Sequence, residues 1–413
     1  MMPSLRDDAA AIRSAAIESV LPARLVAHRV SLDDLAIDGV ERLVVVGAGK
    51  AAAGMAEGIE SLLGADRLAR HRATGLVSVP EGCGRMLSRI AIRETRPAAA
   101  NLPTAAVVQA THEILAAVSS LGPRDLAIAL ITGGGSALLA APKEGVSLEE
   151  KIALTQELSA AGADIATLNA ARREMSLVKG GGLARACTAG RLLVLVLSDV
   201  IGNDLEVIAS GPCMPSQPSS PAGTWTTPSG CRVQHVIVGD NATAVDAAAR
   251  AAQLAGYEIV ASGIPAEGSA EAIGGRMAAE ALALVAAAGR DGRPRAIVSG
   301  GEATVKVPAD HGTGGRNQQT VLAAIAAVRS SGAAWPEGLL IASVGTDGED
   351  GPTDAAGAFA DAGVVAAIEG RGLDVGRALA RCDAYPLLEA AGGLVRTGPT
   401  GTNVADIRVV LSR

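Results

Sequence analysis

The stretch LVVVGAGKAAAGMA, residues 43–56, decides the fold. Leu43–Gly47 is an unbroken apolar run of strand length, rich in valine and without polar alternation, so it reads as a strand covered on both faces. Gly47 and Gly49 then turn the chain, and an alanine-rich helix starts near Lys50. Strand, glycine turn and helix recur on both sides of this stretch. Leu76–Val79, Leu126–Ile131 and Leu192–Leu197 are further strands, with helical patterns at Thr104–Ser120 and Leu148–Leu177. A second block opens with strand Val233–Val238, helix Ala242–Leu254 and strand Glu258–Ala261. It continues through helix Glu267–Ala288, strand Ala296–Ser299 with a hairpin partner at Ala303–Val307, helix Arg316–Val328 and strand Leu339–Val344. Helices across Asp361–Leu388 and a strand Ile407–Leu411 complete it. This rhythm predicts α/β layers around a parallel sheet. Cys213–Gly230, rich in Pro, Ser, Thr and Gly, reads as a linker, which predicts domains at 1–230 and 231–413.

Composition narrows the function. Among 413 residues there are 50 glycines but only two Trp, two Tyr and one Phe, so the cores must be built from Ala, Val, Leu and Ile. Single-strand nucleic-acid modules need aromatic stacking platforms, and a net charge of −7 opposes polyanion binding, so no nucleic-acid partner is expected. No uninterrupted apolar run approaches the ~20 residues of a membrane span. The first ten residues carry Arg6, Asp7 and Asp8 in place of a signal-peptide core. Five scattered cysteines without CxxC spacing argue against a disulfide framework or zinc site, and a cytoplasmic location is expected.

The chemistry-bearing residues gather where strands end and helices begin, the usual ligand edge of an open α/β sheet. Gly47 and Gly49 with Ala52 satisfy a loose GxGxxA dinucleotide fingerprint, but the acid expected ~20 residues further on is missing. Lys50 stands beside them, one of only five lysines, and suits a compact positive charge on a phosphoryl group. Gly133, Gly134, Gly135 and Ser136 form a second loop, read as an anion nest. Asp199 and Asp204 with Asn203 make an oxygen-rich third loop, a candidate for Mg²⁺. Further along come Asn241, the Glu302 turn, Arg316-Asn317 behind a glycine pair, the acidic loop around Asp347, and Thr400 to Asn403. Together these are anion-binding loops, one lysine, one arginine and several carboxylates without a nucleophile–histidine pair, which is the kit of phosphoryl transfer.

The segments VVGAGKAAAGMA, TGGGSALL, SLVKGGGLA, SDVIGNDLEVIASGP, SGGEATV, GGRNQQ, SVGTDGEDGPTDAAGA and TGPTGTNVADI, in this order from Leu43 to Arg408, resemble the glycerate 2-kinase (MOFRL) family. The resemblance implies two three-layer α/β/α domains, the first Rossmann-like, with the active site in the interdomain cleft. It implies phosphorylation of D-glycerate at the 2-hydroxyl by ATP with Mg²⁺, so the partners expected are a hydroxy acid and a nucleotide, with a homodimer as a possible assembly. The family's proposed phosphoryl-transfer residues fall on Lys50 and Arg316, which are expected to bracket the transferring group. Gly47, Gly49, Gly133, Gly134, Gly135, Ser136, Asn241, Asn317, Thr400 and Asn403 are expected to contact substrate or phosphate, and Asp199, Asp204, Glu302 and Asp347 to hold the metal or orient the hydroxyl. The chain departs from the family at residues 100–104, ANLPT in place of an HPxPD-type segment, and in a shortened region after Pro212. NAD(P)H-dependent hydroxypyruvate reduction, an older label for the family, is the alternative.

Overall fold

The computed structural model describes residues 4–97, 102–160, 165–215, 224–265 and 267–413. Contacts divide the chain into two compact units: Leu21–Asp240 with Gly401–Asn403, and Met1–Val20 with Asn241–Thr400 and Val404–Arg413.

The first unit holds a seven-stranded sheet built from β1 (Leu43–Ala48), β2 (Thr74–Pro80), β3 (Ile90–Arg96), β4 (Leu126–Thr132), β5 (Arg191–Leu197), β6 (Thr224–Thr226) and β7 (Arg232–Gly239). Their spatial order is β3-β2-β1-β4-β5-β7-β6, parallel throughout except for the antiparallel edge strand β6. Every residue of β1 and β4 is buried. Val44, Val46 and Ala48 face a core shared with the helix Ala105–Ser119, whose Val107, Ala110 and Ile114 pack there. The intervening Leu43 and Val45 are also buried, and the helix Ala52–Arg70 contacts β1, β2 and β4. A strand with layers on both faces has no polar face to show, which explains the unbroken apolar run.

The second unit contains β8 (Glu258–Pro265), β9 (Gly268–Ser269), β10 (Arg295–Gly301), β11 (Ala303–Thr304), β12 (Leu339–Gly345), β13 (Gly357–Ala360), β14 (Leu394–Val395) and β15 (Asp406–Ser412). A six-stranded mixed sheet runs β14-β13-β12-β15-β10-β8, and β9 and β11 form a separate parallel pair. The expected hairpin between 296–299 and 303–307 is absent. Both edges of β10 are taken, by β15 antiparallel and β8 parallel, so β11 turns away to β9. The C-terminal β15 is therefore a central strand, and all seven of its residues are buried.

The sequence reading starts its second block at Val233, but β7 pairs in register with β5 and belongs to the first sheet. Of the linker at 213–230, residues 216–223 lie outside the described residues, and Thr224–Thr226 form the edge strand β6. The helix Leu5–Ser19 belongs to the second unit, where Tyr257 Oη donates to Asp8 Oδ2 at 2.6 Å and Arg413 pairs with the same carboxylate. One helix, Ala270–Asp291, contains a segment, Ala270–Gly289, that is long and apolar enough to cross a membrane. A count of uninterrupted apolar residues misses it because Glu271, Arg276 and Glu280 punctuate the run. Here Ile273, Met277, Ala281 and Leu284 pack into a core with Val328, Leu339 and Val410, as a globular core helix does.

Candidate active site

In the first unit the strand order turns back between β1 and β4, the neighbours on either side of the switch point. In such sheets ligands bind beyond the carboxyl ends of the strands at this point. The two glycine loops leave β1 and β4 there, and they interlock. Lys50 N–H donates to the Gly133 carbonyl at 3.0 Å, and Ala51 N–H to Thr132 Oγ1 at 3.2 Å. Gly49 makes this possible. Its φ is +132°, and a Cβ there would lie 2.7 Å from Thr132 O and 2.9 Å from Gly133 O, besides striking Thr132 Oγ1. Gly49→Ala is expected to force the loops apart, lowering Tm by several degrees and turnover at least tenfold. Calorimetry and a steady-state assay on the same preparation check both.

The turn Gly133–Ser136 is ringed by cations. Lys50 Cγ and Arg96 Nη2 both lie 3.7 Å from the Cβ position of Gly134, and Arg96 is buried. On the far side Lys179 Nζ donates to Ser136 O at 2.8 Å, Ser136 Oγ at 3.2 Å and Ala209 O at 3.0 Å. Ser136 Oγ also meets Ser210 Oγ at 3.0 Å, and Ser210 donates to Asn169 Oδ1 at 2.9 Å. Ala209, Ser210 and Gly211 all have left-handed backbones, φ +51°, +63° and +62°. Two consecutive non-glycine residues in that region store strain of the kind found at functional sites. Asp199 lies directly under Gly133, its carboxylate filling the space a Cβ would need, and Asn403 Nδ2 lies 2.8 Å from the same position. Asp204, by contrast, is exposed, and its carboxylate accepts the Glu206 N–H at 2.8 Å in a local turn. Asn203 donates to Asp240 at 2.7 Å.

The second unit arranges its residues around Asp406. This fully buried carboxylate receives Arg316 Nε at 3.1 and 3.0 Å, Arg316 Nη2 at 2.9 Å, Asn317 Nδ2 at 3.0 Å and Arg408 Nη2 at 3.3 Å. Arg316 Nη1 reaches Glu302 Oε1 at 2.6 Å. Burial works against the Arg316 charge, but Asp406, Glu302 and Asp350 outweigh it and hold its pKa above the ordinary value. Partial desolvation raises the Glu302 carboxyl; Arg316 opposes this, and repulsion from Asp406 and Asp347 adds to it.

Several of the expected residues have partners within the protein framework. The helix Arg316–Ser330 has a side-chainless cap, Gly315, and its terminal N–H groups are not offered to a ligand: Asn317 N and Gln318 N donate to Asp350 at 3.0 and 2.9 Å. Burial pushes Asp350 up to about 7, against the pull of those two donors. Asn317, expected to touch substrate, spends its amide on Asp350, Asp406 and Ser343. Asn241 likewise donates to Val404 O at 2.7 Å and Asp406 O at 2.9 Å and accepts Gly301 N–H at 3.0 Å, fastening three chain segments together. Thr400 Oγ1 donates to Thr346 O at 2.6 Å, and its N–H goes to Asp347 O at 3.2 Å. Among the described residues no three His, Cys, Asp or Glu side chains converge as a metal site.

The sequence reading gave no role to Arg96 or Asn169, and quoted Ser210 and Asp406 only within longer segments. It also passed over Lys151 and Lys179, although the scarcity of lysine that singles out Lys50 applies to them equally. Asp406 lies within the TGPTGTNVADI segment, but only the fold brings it to Arg316, from a strand distant in sequence.

Residues 8–237 match a family described as a domain of unknown function, DUF4147, and residues 295–406 match the MOFRL family. A glycerate kinase of Danio rerio is 34% identical, over 99% of this chain and 98% of its own, and a D-glycerate 2-kinase of Thermotoga maritima is 35% identical over 99% and 98%. An Agrobacterium vitis protein, provisionally named a hydroxypyruvate reductase, is 37% identical over 90% and 87%. The crystal structure of a Thermotoga maritima glycerate kinase superposes with a TM-score of 0.82 at 33% identity, covering 99% of both chains. The chain is thus an α/β kinase and belongs to the glycerate kinase (MOFRL) family.

Proposed function

We propose that the protein phosphorylates D-glycerate at its 2-hydroxyl with ATP and Mg²⁺, giving 2-phosphoglycerate. The observation that carries this reading is the ring formed by Lys50, Arg96 and Lys179 around the glycine turn Gly133–Ser136 at the switch point of the first sheet. The residues fit ATP and Mg²⁺. A polyphosphate needs backbone turns and compact cations, and a carboxylate beside that turn suits Mg²⁺, which takes one or two carboxylates together with phosphate oxygens and water. Asp199 would hold the ion, and ATP with Mg²⁺ supplies an activated phosphoryl group with its charge partly neutralised.

In this reading Lys50 places a point charge on a phosphoryl oxygen. Its main chain is fixed by the Gly133 carbonyl, which sets the base of the side chain beside the turn. Arg316 is oriented by the Asp406 carboxylate, and of its five N–H donors two remain beyond those bonded to Asp406 and Glu302 for an anionic substrate, with Glu302 and Asp347 available to accept the hydroxyl proton or to neutralise a cation. Wild-type protein given D-glycerate, ATP and Mg²⁺ is expected to release ADP, with phosphorus NMR placing the phosphate on the 2-hydroxyl. Absence of ADP at millimolar substrate rejects the reading.

One feature keeps the reductase alternative testable. The helix Ala52–Arg70 lengthens the path from the glycine turn, and Glu81 follows β2 directly, where dinucleotide folds carry their ribose-binding acid. Against it, Gly49 is consumed by contact with Thr132 and Gly133. Oxidation of NADH by hydroxypyruvate without added ATP would favour that alternative.

A further inference from the structure

A cavity opens beside the glycine turn, within the same unit. Its volume is about 200 Å³, and Gly134, Ser136, Lys151, Arg172 and Lys179 contribute its polar wall. Leu102, Pro103 and Ile152 form an apolar side. Three cations meet here, and no carboxylate lines the cavity among the described residues. Lys151 comes from the helix Leu148–Ala160, Arg172 from the helix Ile165–Glu174, and Lys179 from the turn before the helix Gly182–Ala186.

Lys151 is the anomaly. It is only 5% exposed, and its Nζ has no hydrogen-bond partner among the described residues. A buried ammonium without a counter-charge or acceptor costs several kcal/mol, so proteins seldom keep one without use. Desolvation, with repulsion from Arg172, pushes Lys151 down to about 8. Lys179 is driven well below its ordinary value by burial and by both neighbouring cations, although three oxygens surround its Nζ. Arg172 is steadied by Asn169, whose Oδ1 accepts its Nη1 at 3.4 Å and also receives Ser210.

We propose that this cavity seats the acceptor substrate: the carboxylate of a three-carbon hydroxy acid lies between Lys151 and Arg172, and its carbon chain lies along Leu102 and Ile152. The proposal rests on the kinase reading above and adds a place for the acid. Volume selects the occupant's size, since 200 Å³ holds about seven waters at ~30 Å³ each, a small acid rather than a nucleotide. The mixed wall selects its class, because one face offers charge and the other hydrocarbon. Ser136, shared with the glycine turn, links the cavity to the phosphate-binding loop.

Lys151→Met tests the assignment. It keeps an unbranched, flexible stem one atom shorter and removes the charge. KM for D-glycerate is expected to rise about 30-fold or more, while KM for the nucleotide stays within twofold. Tm is expected to hold or rise, because an unpaired buried charge is gone, a result opposite to that of a merely structural lysine. Lys151→Arg is expected to recover part of the loss, and Arg172→Met, on the next helix, to give the same KM split independently of how the first variant folds. Calorimetric titration of D-glycerate alone into wild type and both methionine variants reads binding without turnover. An unchanged KM for D-glycerate in both methionine variants overturns the proposal. So does a rise confined to the nucleotide KM, or calorimetric binding of inorganic phosphate that Lys151→Met abolishes while D-glycerate binding persists. An inactive wild type rejects the kinase reading, whereas an active wild type with indifferent variants rejects this cavity alone.

Discussion

Lys50→Ala is expected to lower kcat/KM for ADP release by about a thousandfold and to leave Tm within about two degrees. The two halves of this expectation have separate causes. Stability is insensitive because the position is anchored by main chain: the Lys50 N–H is held by the Gly133 carbonyl, and the adjoining Ala51 N–H by Thr132. A methyl side chain keeps both bonds, and the residue is only half-buried, so little packing is lost. Activity is sensitive because the lysine stem lies 3.7 Å from the Cβ position of Gly134, beside the turn proposed to cradle phosphate. Removing one preorganised donor from a site where charge develops costs ~10²–10³ in rate, and removing a full charge lies at the upper end. Lys50→Arg is expected to recover little, since a planar fork does not reproduce a point charge. Turnover by Lys50→Ala within tenfold of wild type would withdraw the lysine from phosphoryl transfer.

The first sheet could be read from sequence because its strands are buried on both faces. A run such as Leu126–Ile131 has no polar residue to blur its ends, and the glycines that follow mark the turn. The second sheet was harder because β15 pairs with two strands distant in sequence, and nothing local forbids the hairpin that Ala303–Val307 suggested. β3 was missed for a related reason: IAIRETR at a sheet edge alternates weakly and carries three charges. The site divides in the same way. Lys50 and the glycine turn are contiguous motifs at strand ends, so composition and spacing expose them. Whether a polar side chain serves a ligand or the framework depends on tertiary partners, and the framework bonds of Asn241 and Asn317 were not visible in the sequence. Lys151 and Lys179 show the complementary case: their rarity was visible in the sequence, but convergence on one cavity is a property of the fold.

Asp406→Ala is expected to destabilise the protein by about 3–5 kcal/mol, the cost typical of removing one partner from a buried ion network. The carboxylate is fully buried and receives Arg316, Asn317 and Arg408 together. Without it the two guanidinium groups face each other in a desolvated space, with Glu302 half-exposed at the rim. Repulsion is already visible in the native chain, where burial first and then Arg316 lower the Arg408 pKa although Asp406 opposes them. Glu302→Ala is the contrasting control. Its side chain is 50% exposed, and an ion pair at that exposure contributes roughly 0–1 kcal/mol, so its urea midpoint should scarcely move. Asp406→Asn keeps the shape but loses the charge, and is expected to fall between the two. Urea unfolding of the three variants measures the series, and an Asp406→Ala midpoint equal to that of Glu302→Ala would refute the assignment. If the series holds, Asp406 positions Arg316, and Arg316→Ala can then be judged on turnover at matched stability. A loss of kcat there, with Asp406→Asn retaining part of it, would place the arginine in the chemistry and the aspartate in its support.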